Sequence, residues 1–92
     1  MSKEESYMFT NKAADGQNNI CGSQIRKFRK ELNLSQRQLA DSLQLLGLDV
    51  DKNAIQRMEA GQRFVTDIEI TYLVKALNVS YNDLLDTTSE NG

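Results

Sequence analysis

Apolar residues recur at helical spacing between residues 23 and 46 and predict two α-helices there. Ser23 can cap the first helix, whose apolar positions at i, i+3 and i+7 are Ile25, Phe28 and Leu32. Asn33 then ends this helix. A capping box of Ser35 and Gln38 begins the second helix, and Gly47 is suited to close it in a left-handed conformation. The apolar stripe of the second helix comprises Leu39, Ala40, Leu43 and Leu46.

A third helix is predicted over about residues 51–60. Asp51 is a favourable N-cap for it, and Gly61 closes it. Ile55 and Met58 are spaced to point inward, which leaves a polar outer face.

Two further helices complete the pattern. Thr66 and Glu69 form a capping box for the fourth helix, which Asn78 ends, and Ser80 caps a short last helix. The apolar positions of these two helices are Ile70, Leu73, Val74, Leu77, Leu84 and Leu85. No segment alternates with period two for long enough to form a strand. The sequence therefore predicts an all-α fold, a compact domain of five helices.

Ninety-two residues are enough for one domain. Residues 1–19 lack sustained periodicity and are rich in Ser, Asn, Lys and Glu, so we expect a flexible N-terminal tail there. Its only apolar cluster is Tyr7, Met8 and Phe9. The helical domain is expected to span residues 20–86, and residues 87–92 to form a second flexible tail.

Composition excludes several functions. With no histidine and one cysteine, Cys21, the chain offers neither a zinc site of Cys and His nor an internal disulfide, and we expect no metal or cofactor. No nucleophile-base spacing and no glycine-rich phosphate loop are present, so we do not expect an enzyme. No apolar run has the length of a membrane span, and the N-terminus lacks the apolar segment of a signal peptide. A cytoplasmic protein is expected.

Charge is distributed unevenly along the chain. The overall net charge is −2, but residues 22–63 carry +3, from eight basic and five acidic residues. From residue 64 onward, one basic and five acidic residues give −4. A basic front and an acidic back can orient a protein over a polyanion such as DNA.

The polar face of the third predicted helix carries side chains suited to base recognition. These are Lys52, Asn53, Gln56 and Arg57. In the major groove of B-DNA, Asn and Gln pair with adenine, and Arg and Lys pair with guanine. A second helix, a turn and such a third helix form a helix-turn-helix arrangement.

Three blocks of the sequence resemble the phage repressor/Cro-type helix-turn-helix family. They are LSQRQLA at residues 34–40, NAIQRMEAGQR at residues 53–63 and LVKALNVSYNDLL at residues 73–85. The resemblance covers residues 20–85 and implies a lambda-repressor-like DNA-binding fold. It also implies sequence-specific binding of double-stranded DNA by a small transcriptional regulator, a repressor, with the third helix in the major groove.

The resemblance assigns roles to individual residues. Lys52, Asn53, Gln56 and Arg57 match positions that read bases or flank them. The positions expected to contact DNA phosphates are Ser35, Gln36, Arg37 and Arg63. Gln36 is also expected to brace the third helix. Arg29 and Glu59 match a pair in which an arginine of the first helix is bridged to a glutamate of the third as structural support.

The sequence departs from the family pattern before the third helix. Ala40 and Glu59 are 19 positions apart, five more than in the usual motif, and the extra residues lie within residues 42–50. We expect a longer second helix followed by a looser turn. Asp51 stands where the family often has Ser or Thr, and either helix capping or acceptance of a hydrogen bond from a cytosine amino group is open to it.

A second function is compatible with the acidic half of the chain. The same fold could serve as a protein-interaction module or an antitoxin-like partner of another protein. The presence of Gln36, Asn53 and Arg57 favours DNA binding over a role in protein interaction alone. A homodimer on DNA is expected because one small module offers few contacts, and Phe64, Tyr72 and Tyr81 are candidates for its apolar centre. No small-molecule ligand is indicated.

Overall fold

The structure, a computed structural model, describes residues 16–86, and within that range it contains five helices and no strand. The helices are α1 (Gly22–Glu31), α2 (Gln36–Leu46), α3 (Lys52–Glu59), α4 (Asp67–Leu77) and α5 (Tyr81–Leu85). The prediction of an all-α fold of five helices is confirmed. The apolar cluster at residues 7–9 and the predicted C-terminal tail lie outside the described residues.

The helix ends are determined by local side-chain caps. The Oγ of Ser35 accepts a hydrogen bond from the Gln38 backbone N–H at 3.0 Å, and the Gln38 side chain accepts one from Ser35 N–H at 2.8 Å. Asp51 caps α3 through its Oδ1, which accepts the Ala54 N–H at 2.8 Å. Gly47 follows α2 with a φ of 110°, a left-handed conformation that suits glycine. These short-range caps explain why the helix boundaries were readable from sequence.

The beginning of α1 differs from the prediction. Its N-cap residue is Cys21, and Ser23 lies inside the helix. The backbone N–H of Gly22 donates instead to the Oδ1 of Asn19 at 2.8 Å, so a side chain of the preceding segment does the capping. Burial raises the pKa of the Cys21 thiol to about 11, and Cys21 is therefore a buried, protonated core residue.

The core is formed by the inward faces of all five helices. Its fully buried large side chains include Ile25, Leu39, Leu43, Ile55, Met58, Leu73, Leu77 and Leu84. Three predicted apolar positions lie outside the core, because Leu32 and Leu46 are each 44% exposed and Leu85 is 40% exposed. Leu32 is already the C-cap residue of α1, and Leu46 and Leu85 are the last residues of α2 and α5, so all three lie where their helices leave the core. Val50, from the following connection, is buried in the core.

The connection between α2 and α3 contains the predicted extra residues. Helix α2 has 11 residues, and residues 47–51 then lead into α3. The side chain of Gln44 donates to the Val50 carbonyl at 2.7 Å, and the Leu48 N–H donates to the Leu43 carbonyl at 2.9 Å. These bonds fold the connection back onto the end of α2, so the insertion is an ordered turn.

The folded body begins earlier than residue 20, the predicted start of the domain. The Asn18 backbone N–H donates to the Gly61 carbonyl at 2.8 Å. The Asn19 side chain donates to the carbonyls of Met58, at 3.0 Å, and Arg63, at 2.7 Å. Asn18 and Asn19, which we assigned to the tail from sequence, are thus tied to the end of α3.

Candidate nucleic-acid interface

Helix α3 has one face in the core and one face towards solvent. Ala54, Ile55 and Met58 are buried on the first face. The four predicted base-reading residues, Lys52, Asn53, Gln56 and Arg57, are all exposed on the other. The structure therefore brings them together on one outward surface that the ion pairs of the domain do not use.

A buried ion pair fixes the last turn of α3 against α1. The Nε of Arg29 lies 2.6 Å from the Oε2 of Glu59, and its Nη2 lies 3.1 Å from Oε1. The side chains of Arg29 and Glu59 are only 9% and 4% exposed. The remaining guanidinium nitrogen, Nη1, donates to the Leu34 carbonyl at 2.7 Å. The bidentate contact restricts both distance and orientation, as expected of a brace between two helices.

Gln36 adds α2 to this brace. Its Nε2 donates to the Oε1 of Glu59 at 3.1 Å, so Glu59 joins side chains from α1 and α2. An amide nitrogen carries two hydrogens, and one of them is therefore left for an outside acceptor such as a phosphate. Ser35 and Arg37, beside Gln36 at the start of α2, are exposed. The first turn of α2 thus presents donors close to the end of α3, at a helix end that favours anions.

Arg63 is engaged within the protein. Its Nη1 and Nη2 lie 3.0 Å and 2.9 Å from the Oε1 and Oε2 of Glu69, and Nη1 also donates to the Phe64 carbonyl at 3.0 Å. The hydrogen bonds that Arg63 donates to Glu69 raise the pKa of Arg63 above its ordinary value, and the nearby charge of Asp51 adds to this. We predicted from sequence that Arg63 is a phosphate contact and that Glu69 is a capping residue. Glu69 is both the ion-pair partner of Arg63 and the predicted capping residue, because its Oε1 also accepts the Thr66 N–H at 3.0 Å.

Stability should fall at acid pH through Glu69. Burial raises the pKa of Glu69, but hydrogen bonds from Arg63 and from the Thr66 backbone outweigh it, so the net pKa is below the ordinary value. A carboxyl with a depressed folded-state pKa stabilises the fold above its unfolded pKa, about 4.3 for glutamate, and this contribution is lost as the pH falls. In urea unfolding between pH 7 and pH 3, the free energy of unfolding should fall less steeply with decreasing pH in Glu69→Gln than in the wild type. A glutamine keeps the capping box, so a mutant with the wild-type pH profile would contradict this role.

The contacts of the segment before α1 are not evident from helical periodicity. Asn18 and Asn19 bond to the end of α3, yet they lie in a stretch without periodicity. Polar side chains that bond to distant backbone carbonyls leave no periodic signal, and the consecutive asparagines were the only hint available.

The arrangement defines a class of protein. Helix α2 with its capped start, a turn, and α3 with a buried inner and a polar outer face form a helix-turn-helix DNA-binding domain. A family model described as helix-turn-helix matches residues 25–84, most of the described chain. The chain belongs to the Cro/C1-type helix-turn-helix family and is a DNA-binding transcriptional regulator.

Solved structures agree with this assignment. The restriction-modification controller protein C.AhdI from Aeromonas hydrophila is 30% identical, with a TM-score of 0.60, over 68% of this chain and 84% of that one. The clp gene regulator ClgR from C. glutamicum is 22% identical, with a TM-score of 0.66, over 78% and 87% of the two chains. The hypothetical transcription factor NHTF from Neisseria is 22% identical, with a TM-score of 0.67, over 78% and 77%.

The last two similarities show the fold alone. No curated protein matches the chain significantly. Among residues 16–86, none of the helices has both the length and the apolar character that crossing a membrane would require.

Proposed function

We propose that this regulator binds a two-fold symmetric DNA operator as a homodimer, places α3 in the major groove and represses transcription there. The observation that carries the proposal is the outward face of Lys52, Asn53, Gln56 and Arg57, on a helix whose inner face is fixed. The major groove is about 12 Å wide and admits one α-helix. Base-reading side chains held on a fixed helix lose little conformational freedom on binding.

Each exposed residue of α3 has a suitable base partner. Asn53 and Gln56 can each make two hydrogen bonds to adenine, at N6 and N7. Lys52 and Arg57 can donate to O6 and N7 of guanine. Asp51 keeps its carboxylate on the Ala54 N–H, so it acts here as a cap and leaves base reading to the four residues that follow it.

The phosphate contacts are proposed for the start of α2. Ser35, Gln36 and Arg37 lie at the first turn of α2, where unpaired backbone N–H groups attract phosphate. Arg63 already uses both guanidinium Nη atoms inside the protein, so only its Nε–H and one Nη2 hydrogen are left for a phosphate. We therefore rank Arg63 as the weakest phosphate contact of the set.

A homodimer is supported by exposed aromatic rings outside the proposed base-reading set. Phe64 and Tyr81 are each 51% exposed, whereas Tyr72 is half-buried and packs against the core. The dimer proposal therefore rests on Phe64 and Tyr81. Two recognition helices related by a two-fold axis would meet half-sites one helical turn apart, about 34 Å. The C.AhdI similarity, to a controller protein, supports a role in gene control.

Selection of bound sequences from a random pool of DNA duplexes tests the proposal. We expect enrichment of an inverted repeat with a fixed half-site spacing. Affinity for that repeat should fall steeply with salt, because each contacted phosphate releases about 0.9 counterion. Enrichment of a single half-site would reject the dimer, and no binding to any duplex at about 50 mM salt would reject the DNA-binding role.

Asn53→Ala separates base reading from general affinity. We expect it to weaken operator binding by about 1–3 kcal/mol, because the adenine loses two hydrogen bonds, and to leave non-specific binding nearly unchanged. Asn53 is exposed, so the free energy of unfolding should change by less than about 0.5 kcal/mol. Titrations of the selected operator and of a scrambled duplex at one salt concentration measure both effects. Equal losses on the two duplexes would show that Asn53 does not read bases.

A further inference from the structure

We propose that Asn19 is a positioning residue for the DNA-reading helix. It would hold the C-terminal end of α3 at the angle that operator binding needs. This inference rests on the proposed role of α3 in the major groove. Asn19 lies outside the matched family region, residues 25–84, so no family position assigns it a role.

Residues 17–19, here called the N-terminal strap, bond to the turn that follows α3. The Asn18 N–H donates to the Gly61 carbonyl at 2.8 Å, and the Asn18 side chain donates to the Gln62 carbonyl at 3.1 Å. Gly61 has a φ of 74°, and the Gln17 side chain occupies the space where a Cβ at Gly61 would lie. The strap thus covers the turn that ends the helix, where helical carbonyls lose their usual partners.

Asn19 joins three backbone segments through one side chain. Its Nδ2 donates to the carbonyl of Met58, in the last turn of α3, at 3.0 Å, and to the carbonyl of Arg63 at 2.7 Å. Its Oδ1 accepts the N–H of Gly22, the first residue of α1, at 2.8 Å. All the hydrogen-bonding groups of this amide are therefore directed at the junction of α1 with the end of α3.

The junction allows little adjustment. A Cβ on Gly22 would lie 2.4 Å from the Met58 carbonyl oxygen and 3.0 Å from that of Glu59. The first turn of α1 therefore lies directly on the backbone of the last turn of α3. Without the hydrogen bonds of Asn19, the Arg29–Glu59 pair would still hold one side of this contact, and we expect the α3 end to tilt about that pair.

Such a tilt would act on base reading. Helix α3 has only eight residues, so Gln56 and Arg57 lie within one turn of the end that Asn19 holds. Base-edge hydrogen bonds depend on distances of about 3 Å, whereas contacts with phosphates tolerate larger shifts. Loss of the strap contact should therefore reduce specificity more than overall affinity for DNA.

The test compares three variants. Asn19→Ala removes all three hydrogen bonds. Asn19→Asp keeps the acceptor for Gly22 N–H but removes both donors to the α3 end. Val74→Ala is the control, since it truncates a buried residue of α4 and removes none of these bonds. Urea unfolding first establishes that each variant is folded and how far its stability has fallen.

Two measurements then decide the role of Asn19. The first is the ratio of operator to scrambled-duplex affinity, which should fall about tenfold in both Asn19 variants and stay unchanged in Val74→Ala. A ratio compares two duplexes with one protein, so the extra charge of aspartate largely cancels. The second, made without DNA, is amide hydrogen exchange, which should accelerate at residues 60–63 in both Asn19 variants relative to Val74→Ala.

The outcomes separate the two proposals. If the wild type does not discriminate between duplexes, the proposed function fails, and the exchange measurement alone decides whether Asn19 holds the α3 end. Unchanged exchange at residues 60–63 overturns the inference in every case. If the wild type discriminates and Asn19→Asp keeps the wild-type ratio, Asn19 only caps α1 and does not position α3.

Discussion

Glu59→Ala is expected to lower the free energy of unfolding by about 3–5 kcal/mol, the usual cost of leaving a buried ion-pair partner alone. Arg29 is 8% exposed, and its Nε and Nη2 would both lose their carboxylate partners. Gln36 would lose the same acceptor. The free energy of unfolding of a small domain is about 5–15 kcal/mol in total, so this single change should bring the domain close to unfolding at 25 °C. Urea denaturation monitored by circular dichroism measures it.

A double variant tests the cause of that loss. Arg29→Met combined with Glu59→Leu removes both charges and fills the space with apolar groups, and buried pairs replaced in this way commonly regain stability. We expect the double variant to be more stable than Glu59→Ala alone. If Glu59→Ala costs less than about 1 kcal/mol, the pair behaves as an exposed surface contact and does not brace α3.

Ile55→Ala should have the second largest effect, a loss of about 2–5 kcal/mol in the free energy of unfolding. Ile55 is fully buried and is one of the residues by which α3 packs into the core. Removing its side chain leaves a cavity directly under the face of α3 that we propose reads bases. Thermal and urea unfolding of the purified variant measure the loss.

Gln56→Ala is the matched control, one residue along the same helix. Gln56 is exposed, so its truncation should change the free energy of unfolding by less than about 0.5 kcal/mol. It should nevertheless weaken operator binding, since the side chain belongs to the proposed base-reading set. A stability loss at Gln56 as large as that at Ile55 would show that the two faces of α3 are wrongly assigned.

The elements that were predicted correctly depend on interactions close in sequence. The capping boxes at Ser35 and Thr66 join residues three positions apart, and the left-handed residues Gly47 and Asn78 end their helices locally. Helical spacing of apolar residues likewise identified the buried face of α3. Such signals depend only on neighbouring residues, so they can be read without knowing the fold.

The errors concern contacts between distant parts of the chain. Leu32 and Leu46 have the spacing of core residues, but exposure depends on where the neighbouring helices end. Ser23 has the spacing of an N-cap, yet the Gly22 N–H bonds to the Asn19 side chain of the preceding segment. Asn19 reaches residues 39 and 44 positions away, a relation that no local pattern encodes.

The candidate site divides in the same way. Periodicity and capping are local properties, so the amino-acid sequence alone indicates the helices, most of their caps and the polar outer face of α3 with Lys52, Asn53, Gln56 and Arg57. The contacts that hold this face in place join distant segments: Glu59 with α1 and α2, which the family resemblance already implied, and Asn19 at the end of α3, which became apparent only from the packing of the domain. Those contacts form only when distant segments pack, because hydrogen bonds and ion pairs depend on three-dimensional distance rather than on sequence spacing.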